Sequence, residues 1–414
     1  MKKNGFTLVE LLSIVVILGI IVVVALPQIS GSIGSKKEKQ YNKIVKIVEN
    51  AGKVYLTENV TRDSVSIDKL IKSDYLTSGL KNPINNTPLT GCVKKITSDG
   101  VTKYKYEEES CPNYLTTYIM DLYDNEETRI ENGLKKDNTP DQNVRYYGAN
   151  PNNYVRFNNE LWRIIGVFGN NVKLVRSEKL GDLSWDSSEE SINAGGGVNE
   201  WSQADLQVYL NKMYYGGTSV TCYNGENNTT TTCPTGTIDE TSKSLIDYHT
   251  WNTGAPNYNT LYNSTTKSFD TIEFYKAERG SVNGKTCSSG TYCNDTVTRT
   301  TEWPGYIGLP YVTDWAYASG EDDCNTKIDV SSTYKCKNNN WMHYGSTNND
   351  TTWVMSPFAL PVNANVVWHV RGGGRTGNVG AARPLSAFPT IYLKSNIIIE
   401  SGKGTSSDPY ELSL

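Results

Sequence analysis

Histidine, methionine and phenylalanine are scarce in this chain of 414 residues, which contains 3 His, 5 Met and 7 Phe. Three histidines leave little material for histidine-based metal sites or acid–base catalysis. Charged residues make up only 20% of the chain, and the formal net charge is −4. A general nucleic-acid binder needs a strong basic field, so the composition argues against that class of protein.

Tyrosine, tryptophan and glycine are abundant instead, with 27 Tyr, 9 Trp and 35 Gly. This composition favours a β-rich fold with polar loops over intrinsic disorder, because disordered chains have few aromatic residues and many charges. Residues 6–112 carry 14 Lys+Arg and 11 Asp+Glu, a net charge of +3, whereas residues 113–414 carry 24 and 33, a net charge of −9. We therefore expect two units in different surroundings.

An apolar run fills residues 6–26, and Glu10 is its single charge. As a helix the run would be roughly 31 Å long, enough to cross a bilayer core. A secretory signal peptide fits poorly, because such a peptide is cut after a shorter apolar region at a small-residue site. A plain membrane anchor explains the length but not Glu10, since a carboxylate inside the span costs roughly 2.5–3.5 kcal/mol. Glu10 is therefore a candidate functional residue.

Residues 1–10, MKKNGFTLVE, resemble the start of type IV pilins and type II secretion pseudopilins. The shared pattern is a short basic leader ending in Gly, then Phe, three residues, Glu and an unbroken apolar stretch. The resemblance implies that a membrane-embedded prepilin peptidase cuts between Gly5 and Phe6 and methylates the new amino group of Phe6. Within a filament, Glu10 would pair with that amine and set the axial register of the subunit, because a missing partner in a dry bundle is costly.

Two further residues of the apolar run also match this family. Gly19 and Pro27 stand where pilin helices carry helix-weakening residues, and Pro27 removes a backbone donor and is expected to kink the helix. Lysines beyond the run conflict with the positive-inside rule, but the leader motif carries more weight for the orientation. These lysines are Lys36, Lys37, Lys39, Lys43 and Lys46.

The pattern stays helical beyond the apolar run. Apolar residues recur at spacings of three and four along one helical face. They are Tyr41, Ile44, Val48, Ala51 and Tyr55. We therefore expect a leader at 1–5, one long helix at 6–56 with its transmembrane part at 6–26, and a small pilin-like head at 57–112.

The head itself shows a short helix at 66–72 and a hairpin around Asp99-Gly100. Cys92 and Cys111 bracket that hairpin. A disulfide between them is the preferred interpretation, and reduced core cysteines are the alternative.

The family resemblance stops near residue 112. Residues 113–140 are interpreted as a connector, and 141–414 as a distal β-rich extracellular domain. Strands are predicted at 154–157, 161–168, 172–175, 353–355, 366–370 and 390–393, a helix capped by Ser202 at 201–210, and long loops across 216–300. This order resembles a C-type-lectin-like domain, although a different α+β fold fits equally well. The tail at 402–410 resembles the ends of surface proteins of Gram-positive bacteria.

The predicted fold class is therefore α+β. A long membrane-spanning N-terminal helix packs on a small antiparallel sheet, and a larger β-rich α+β domain follows.

Six cysteines in the distal part form three close pairs. They are Cys222 and Cys233, Cys287 and Cys293, and Cys324 and Cys336. An even number of cysteines in an exported chain favours local disulfides. Zinc is disfavoured because no CxxC is present, and a catalytic cysteine would leave an odd partner.

No catalytic, metal or cofactor motif stands out. His249, His343 and His369 are scattered, and the sequence has neither HExxH nor GxSxG. Asp322 and Asp323 beside an acidic neighbour could bind calcium, but a solvated acidic loop is favoured. The glycine-rich stretch at 371–377 lacks the Lys-Ser/Thr ending of a phosphate loop, so a hairpin loop is favoured.

Tryptophan is the most interesting residue type for binding. Indole rings stack on sugars and anchor protein interfaces, and the alternative is that these residues form core. The possible ligand-binding set is Trp303, Trp315, Trp341, Trp353 and Trp368.

The resulting hypothesis is a non-enzymatic, minor subunit of a filament, because a bulky head packs poorly at every position of a filament. It would lie in the cytoplasmic membrane with most of the chain outside the cell, and in an extracellular filament. Expected partners are prepilin peptidase, other pilin or pseudopilin subunits, an assembly platform membrane protein with its ATPase, and a glycan or protein ligand. Nucleic acid is not expected for the distal domain. The alternatives are a structural distal domain in a secretion or DNA-uptake apparatus, and a displayed enzyme.

Overall fold

A computed structural model describes most of the chain beyond residue 32. The described ranges are 33–60, 62–98, 100–188, 196–282, 285–286, 300–329, 335–343, 351–359, 364–372 and 374–414. Within them the chain forms two compact units that divide after Thr117. In this part of the chain no helix has the length and apolar character needed to cross a membrane.

Several predicted sites lie outside the described residues. They are Gly5, Phe6, Glu10, Gly19, Pro27, Cys287 and Cys293.

The first unit is a long helix packed on a small sheet. The helix spans Ile33–Glu58, and the antiparallel sheet has the order β1-β2-β3. The strands are β1 (Ser64–Ser66), β2 (Cys92–Ser98) and β3 (Val101–Glu107). The apolar face predicted from the sequence is the face that packs, since Ile44, Val48 and Tyr55 lie in the core with Val93 of β2.

Helix and sheet approach each other closely at Gly52. A Cβ atom at this position would come within 2.5 Å of the Val93 side chain. A glycine is therefore what lets the helix backbone rest on the middle strand.

A capped helix and a disulfide complete the first unit. The helix Ile67–Lys72 begins at Ser66, whose Oγ accepts a hydrogen bond from the Lys69 backbone N–H at 3.1 Å. The predicted Cys92–Cys111 disulfide is present, with a Cα–Cα distance of 4.8 Å. The open end of the hairpin, opposite its turn, is thereby tied to the chain that follows β3.

The second unit contains most of the strands. They are β4 (Leu134–Lys136), β5 (Val144–Tyr146), β6 (Tyr154–Phe157), β7 (Glu160–Phe168), β8 (Asn171–Arg176), β9 (Gly181–Ser184), β10 (Cys222–Tyr223), β11 (Thr230–Thr231), β12 (His249–Asn252), β13 (Tyr262–Asn263), β14 (Ser268–Asp270), β15 (Ser281–Val282), β16 (Lys285–Thr286), β17 (Glu302–Gly305), β18 (Ile307–Gly308), β19 (Lys327–Asp329), β20 (Thr352–Pro357), β21 (Val366–Val370), β22 (Thr376–Gly380), β23 (Pro384–Ala387), β24 (Thr390–Leu393), β25 (Ile398–Ser401) and β26 (Glu411–Ser413).

Helical segments lie between these strands. The α-helices after residue 112 are Leu115–Asp124, Glu126–Glu131, Asp205–Val208, Glu240–Leu245, Tyr258–Leu261, Thr271–Glu278 and Val312–Tyr317. A π-helical segment spans Tyr209–Tyr215, and short 3-10 helices span Trp201–Gln203, Asp322–Asn325 and Lys335–Lys337.

Two sheets form the frame of the second unit. The seven-stranded antiparallel sheet has the order β18-β24-β8-β7-β5-β4, and β6 also pairs with β7. The five-stranded sheet has the order β22-β21-β20-β23-β9, in which only β20 and β23 run parallel. Each sheet joins strands that are far apart in the chain, so neither can close until late segments are in place.

The structure divides the chain at a different residue from the predicted connector. Residues 113–140 hold two helices and β4, which pairs with β5 at the edge of the large sheet. The second unit therefore begins at Tyr118 and not at residue 141.

Two local predictions for this unit are wrong. Residues 216–300 contain helices and strands as well as loops, including the helix Thr271–Glu278 with its N-cap at Asp270. The predicted helix at 201–210 is broken into 3-10, α and π segments. Ser202 is not its cap, because Ala204 holds the N-cap position and the Ser202 hydroxyl donates to Glu200 at 3.2 Å.

The strands predicted at 154–157, 161–168 and 172–175 are confirmed, and they form an antiparallel meander. Strands β6, β7 and β8 pair in antiparallel register, with Asn158 and Asn159 in the left-handed conformation at the first turn. Disulfides link Cys222 with Cys233 and Cys324 with Cys336, as predicted.

A buried chain of charges crosses the interior of the second unit. Arg145 of β5 bonds Asp137 through Nε at 2.6 Å and Asp314 through Nη1 at 2.8 Å. Lys173 of β8 bonds the other oxygen of Asp314 at 2.5 Å. Burial would lower the pKa of Arg145, but the two carboxylates outweigh that and hold its pKa above the usual range. Two cations and two anions alternate, so the chain is neutral as a whole.

Hydrogen bonds of Lys135 hold the edge strand β4 in place. The Lys135 ammonium donates to the Ser319 carbonyl at 2.9 Å and to Asn325 Oδ1 at 2.8 Å. Burial lowers the pKa of Lys135 to about 8. The first strand of the unit is thereby joined to segments that come much later in the chain.

Candidate ligand-binding surface

Four of the five tryptophans proposed for ligand binding belong to the core. They are Trp315, Trp341, Trp353 and Trp368, each buried. Three of these indoles donate their Nε1–H to backbone carbonyls: Trp341 to Tyr146, Trp353 to Leu183 and Trp368 to Pro256. The four rings therefore offer no face to a ligand, because large aromatic side chains supply most of the packing volume here. Trp303 keeps a partly exposed indole.

Exposed aromatic surface is provided instead by three tyrosines of the second unit. The rings of Tyr215 and Tyr306 are stacked, with centroids 4.1 Å apart and planes 13° apart. The Tyr248 ring leans against Tyr306 at 4.9 Å. Tyr248 is 59% exposed, and the other two are partly exposed. We call Tyr215, Tyr248 and Tyr306 the tyrosine platform.

Strand pairing brings two members of the platform together. Tyr248 directly precedes β12 and Tyr306 directly follows β17. These strands are antiparallel, with His249 opposite Gly305, so the two tyrosines occupy the next facing positions. The Tyr248 hydroxyl also donates to the Pro304 carbonyl at 3.4 Å.

A single asparagine fixes the third member against the others. Asn211 lies in the π-helical segment that ends at Tyr215. Its Nδ2 donates to the Ile307 carbonyl at 2.9 Å, and its Oδ1 accepts from the backbone N–H groups of Tyr306 and Ile307 at 3.3 and 3.0 Å. The side chain thus clamps the helix to the strand end, and π-helical turns are frequent at functional sites.

Polar and aromatic groups border the platform. The Lys243 ammonium lies 5.6 Å from the centre of the Tyr215 ring and pairs with Glu240 at 2.6 Å. The Trp303 indole covers Gly305, where any Cβ atom would collide with it. Gly305 therefore leaves the space that the Trp303 ring occupies, directly before Tyr306 in the chain.

The platform combines apolar ring faces with phenol hydroxyls. Burial and the hydrogen bond to Tyr306 raise the pKa of Tyr215 above its usual value, so its phenol remains a donor at physiological pH. Flat aromatic faces beside hydroxyl donors suit the C–H face and the hydroxyls of a sugar, or an exposed side chain of a protein.

Sequence reasoning missed this surface because its three residues lie in separate segments of irregular composition. The available signal was the excess of 27 Tyr over 7 Phe. A phenol hydroxyl favours positions where one edge of the ring reaches water, whereas Phe favours full burial.

The three histidines lie apart and have separate roles. His249 stacks on Tyr392, with centroids 3.7 Å apart, and its Nδ1 lies 3.2 Å from Asp247. His369 accepts a hydrogen bond from Arg371 Nε at 3.0 Å, and burial lowers its pKa to about 3. Burial also lowers the pKa of His343. These environments agree with packing roles.

The remaining sequence candidates can be placed as well. Asp322 and Asp323 are exposed at a 3-10 turn. Among the described residues, no group of three or more His, Cys, Asp or Glu is arranged to hold a metal ion. In the glycine-rich stretch, the described residues Arg371, Gly372, Gly374 and Arg375 lie between β21 and β22, which pair in antiparallel register, so the stretch is a hairpin loop as favoured.

Comparison with known proteins identifies the N-terminal segment. Residues 1–26 match the family model of the prokaryotic N-terminal methylation motif. The match supports a protein similar to type IV pilins and pseudopilins, processed by a prepilin peptidase and assembled with other pilin subunits. No curated protein and no solved structure matches the chain. The resemblance of the distal part to C-type-lectin-like domains therefore gains no support.

Proposed function

We propose that this protein is a minor subunit of a type IV pilus-like or type II secretion-like filament that displays its second unit for ligand binding. The methylation motif at residues 1–26 supports the filament role. The size of the second unit, Tyr118–Leu414, supports a minor position, because so large a unit packs poorly at every step of a helical filament.

The observation that carries the binding role is the tyrosine platform. Tyr248 exposes 59% of its surface, although a free tyrosine ring gains by burial. The stacking of Tyr215 on Tyr306, the contact of Tyr248 with Tyr306 and the hydrogen bonds of Asn211 hold the rings in place before any ligand arrives. A preformed aromatic surface loses little conformational entropy on binding, which is the property that a sugar or protein anchor needs.

The test compares ligand binding by the full-length protein and its platform variants. Wild type, Tyr248→Ala and Tyr306→Ala are screened on glycan arrays and on host and bacterial cell surfaces. A stacking contact is worth roughly 0.5–1.5 kcal/mol beyond the area it buries, so each variant should lose at least about two- to tenfold in affinity. Ile130→Ala is the matched control, because Ile130 is an exposed apolar residue of the same unit at 67% exposure.

Two results would contradict the binding role. One is wild-type protein that binds no surface, which would leave a structural distal unit in a secretion or uptake apparatus. The other is an equal loss of binding in Ile130→Ala, which would place the contact elsewhere. Tyr248→Phe separates stacking from the hydroxyl, and it should bind almost as well as wild type if the ring face carries the contact.

The filament role has its own test in Glu10→Val. The span becomes more apolar, so insertion and cleavage should continue, but the partner of the Phe6 amine is lost. Mass analysis should find a chain that starts at Phe6 in the membrane and little of it in sheared filaments. Normal incorporation into filaments would show that Glu10 does not set the register.

A further inference from the structure

Lys173 and Asp314 form a fully buried contact at the centre of the second unit. The Lys173 Nζ and Asp314 Oδ2 atoms are 2.5 Å apart, and the two side chains are 0% and 1% exposed. Lys173 belongs to β8 in the middle of the large sheet, and Asp314 belongs to the helix Val312–Tyr317. The contact therefore joins two elements that are 141 residues apart in the chain.

Aromatic rings surround the lysine. The Nζ atom lies 4.2 Å from the ring centre of Tyr311 and between 5.4 and 5.6 Å from those of Phe168, Tyr392 and Trp251. Burial away from water penalises the charged form of the amine and lowers the pKa of Lys173 to about 8. The amine is thus easier to deprotonate here than on the surface, which makes it a potential nucleophile.

We propose that Lys173 and Asp314 become joined by a side-chain amide, an isopeptide bond, after the unit has folded. The ion pair first passes a proton from Nζ to the carboxylate, giving a neutral amine and a carboxylic acid. The nitrogen lone pair attacks Cγ, an N–C bond forms, and one C–O bond breaks. The departing oxygen leaves as water with the acid proton and one amine proton. No oxidant, reductant or second substrate is consumed.

The neighbours of Asp314 are arranged to assist this step. Arg145 Nη1 donates to Oδ1 at 2.8 Å, which places a cation where negative charge develops in the tetrahedral intermediate. The Tyr311 backbone N–H donates to Oδ2 at 2.9 Å and fixes the plane of the carboxyl group. Both donors act without movement, because their own elements are buried.

Charge balance also favours the product. Before reaction two cations, Arg145 and Lys173, face two anions, Asp137 and Asp314. The amide removes one charge of each sign and leaves Arg145 paired with Asp137 at 2.6 Å. Because buried ion pairs carry a desolvation penalty, exchanging one pair for a neutral amide relieves that penalty.

One factor slows the reaction. Burial would raise the pKa of Asp314, but Lys173 and Arg145 outweigh that effect and hold its pKa below the usual range. The pair is therefore mostly ionised, and the proton transfer precedes attack only rarely. We expect the linked fraction to grow with time after folding rather than to be complete at once.

The test is peptide mapping of the full-length protein with its disulfides reduced after denaturation. The expected product is a linked pair of tryptic peptides that contains Lys173 and Asp314 and is lighter by one water than the sum of the two. Trypsin should not cut after the linked lysine. Recovery of both peptides unlinked, from aged and folded protein, would overturn the proposal, and this measurement needs no variant.

Variants separate the covalent bond from an ion pair. Lys173→Arg keeps the charge but should give no linked peptide, and Asp314→Ala should give none. Asp314→Asn should give the same linked product as wild type, with ammonia in place of water as the leaving molecule. An Asp314→Asn chain that folds but stays unlinked while wild type is linked would contradict the assigned chemistry.

Discussion

The two units differ in how far apart their stabilising partners lie in the chain. The first unit is a periodic apolar face on a helix, packed on a hairpin whose strands are neighbours in sequence. In the second unit β9 pairs with β23 and β8 pairs with β24, and the buried chain of charges crosses its interior. Local contacts give a unit that sequence pattern can specify, whereas distant contacts give one that forms only as a whole.

The difference between the two units should be largest when the buried chain of charges is interrupted. Arg145→Met leaves the carboxylates of Asp137 and Asp314 buried beside an apolar side chain. We expect a loss of about 3–5 kcal/mol in the second unit and none in the first. Hydrogen exchange of the full chain, read by mass spectrometry, reports the two units separately.

The matched control for that prediction is Arg156→Met. Arg156 also bonds a carboxylate, Glu411 at 2.9 Å, but the side chains are 45% and 43% exposed. Its loss should change the stability by less than about 1 kcal/mol. Equal effects of the two variants would show that burial does not increase the contribution of the chain of charges to stability.

The stability of the second unit should depend on pH through Glu278. Its buried carboxyl accepts hydrogen bonds from the Thr313 N–H and hydroxyl, with Ser356 at 3.5 Å and Arg279 at 3.9 Å. Burial raises the pKa of Glu278 to about 7. The folded state thus binds a proton more tightly than the unfolded state, so this group's contribution to stability falls as pH rises from about 4.3 to about 7.

Glu278→Gln removes that pH dependence and keeps a side chain of the same shape. Relative to wild type, the variant should gain about 3 kcal/mol between pH 4.5 and pH 8. His369 acts in the opposite direction at low pH, since its lowered pKa of about 3 costs stability as pH falls below about 6.5. Urea unfolding of both proteins across this range isolates Glu278, and a constant difference would refute its role.

The smallest expected effect is in the first unit. Gly52→Ala places a methyl group within 2.5 Å of Val93, and overpacking of this kind costs about 1–3 kcal/mol. Alanine returns up to about 1 kcal/mol through its better helix propensity. The net loss should therefore be about 1 kcal/mol by thermal unfolding of the first unit. Asn50→Ala, on the exposed side of the same helix, should not destabilise it.

The sequence allowed prediction of those elements whose signal is local. The helical face from Tyr41 to Tyr55 follows a regular spacing of apolar residues. In the hairpin and in the meander, alternating apolar and polar residues are bounded by turns that contain Asn or Gly. The disulfides at Cys92, Cys222 and Cys324 followed from pairs close in sequence.

Elements fixed by distant partners escaped prediction. Strand β4 has only three residues and owes its place to β5 and to the bonds of Lys135 with late segments. The tyrosine platform depends on the pairing of β12 with β17 and on Asn211, none of which a linear pattern displays. The burial of four of the five tryptophans proposed for binding escaped prediction for the same reason, because the assembled sheets decide which side chains are buried.

The hydrogen bonds and the ion pair that hold β4 have a consequence for its resistance to a pulling force. A pull that enters the second unit through the preceding chain reaches this edge strand after the two short helices Leu115–Asp124 and Glu126–Glu131. Edge strands of antiparallel sheets can peel one hydrogen bond at a time. Lys135 is held by Ser319 and Asn325, and Asp137, just beyond the strand, is held by Arg145. The load therefore passes at once to late segments and to the buried charges, so the strand resists until several contacts break together.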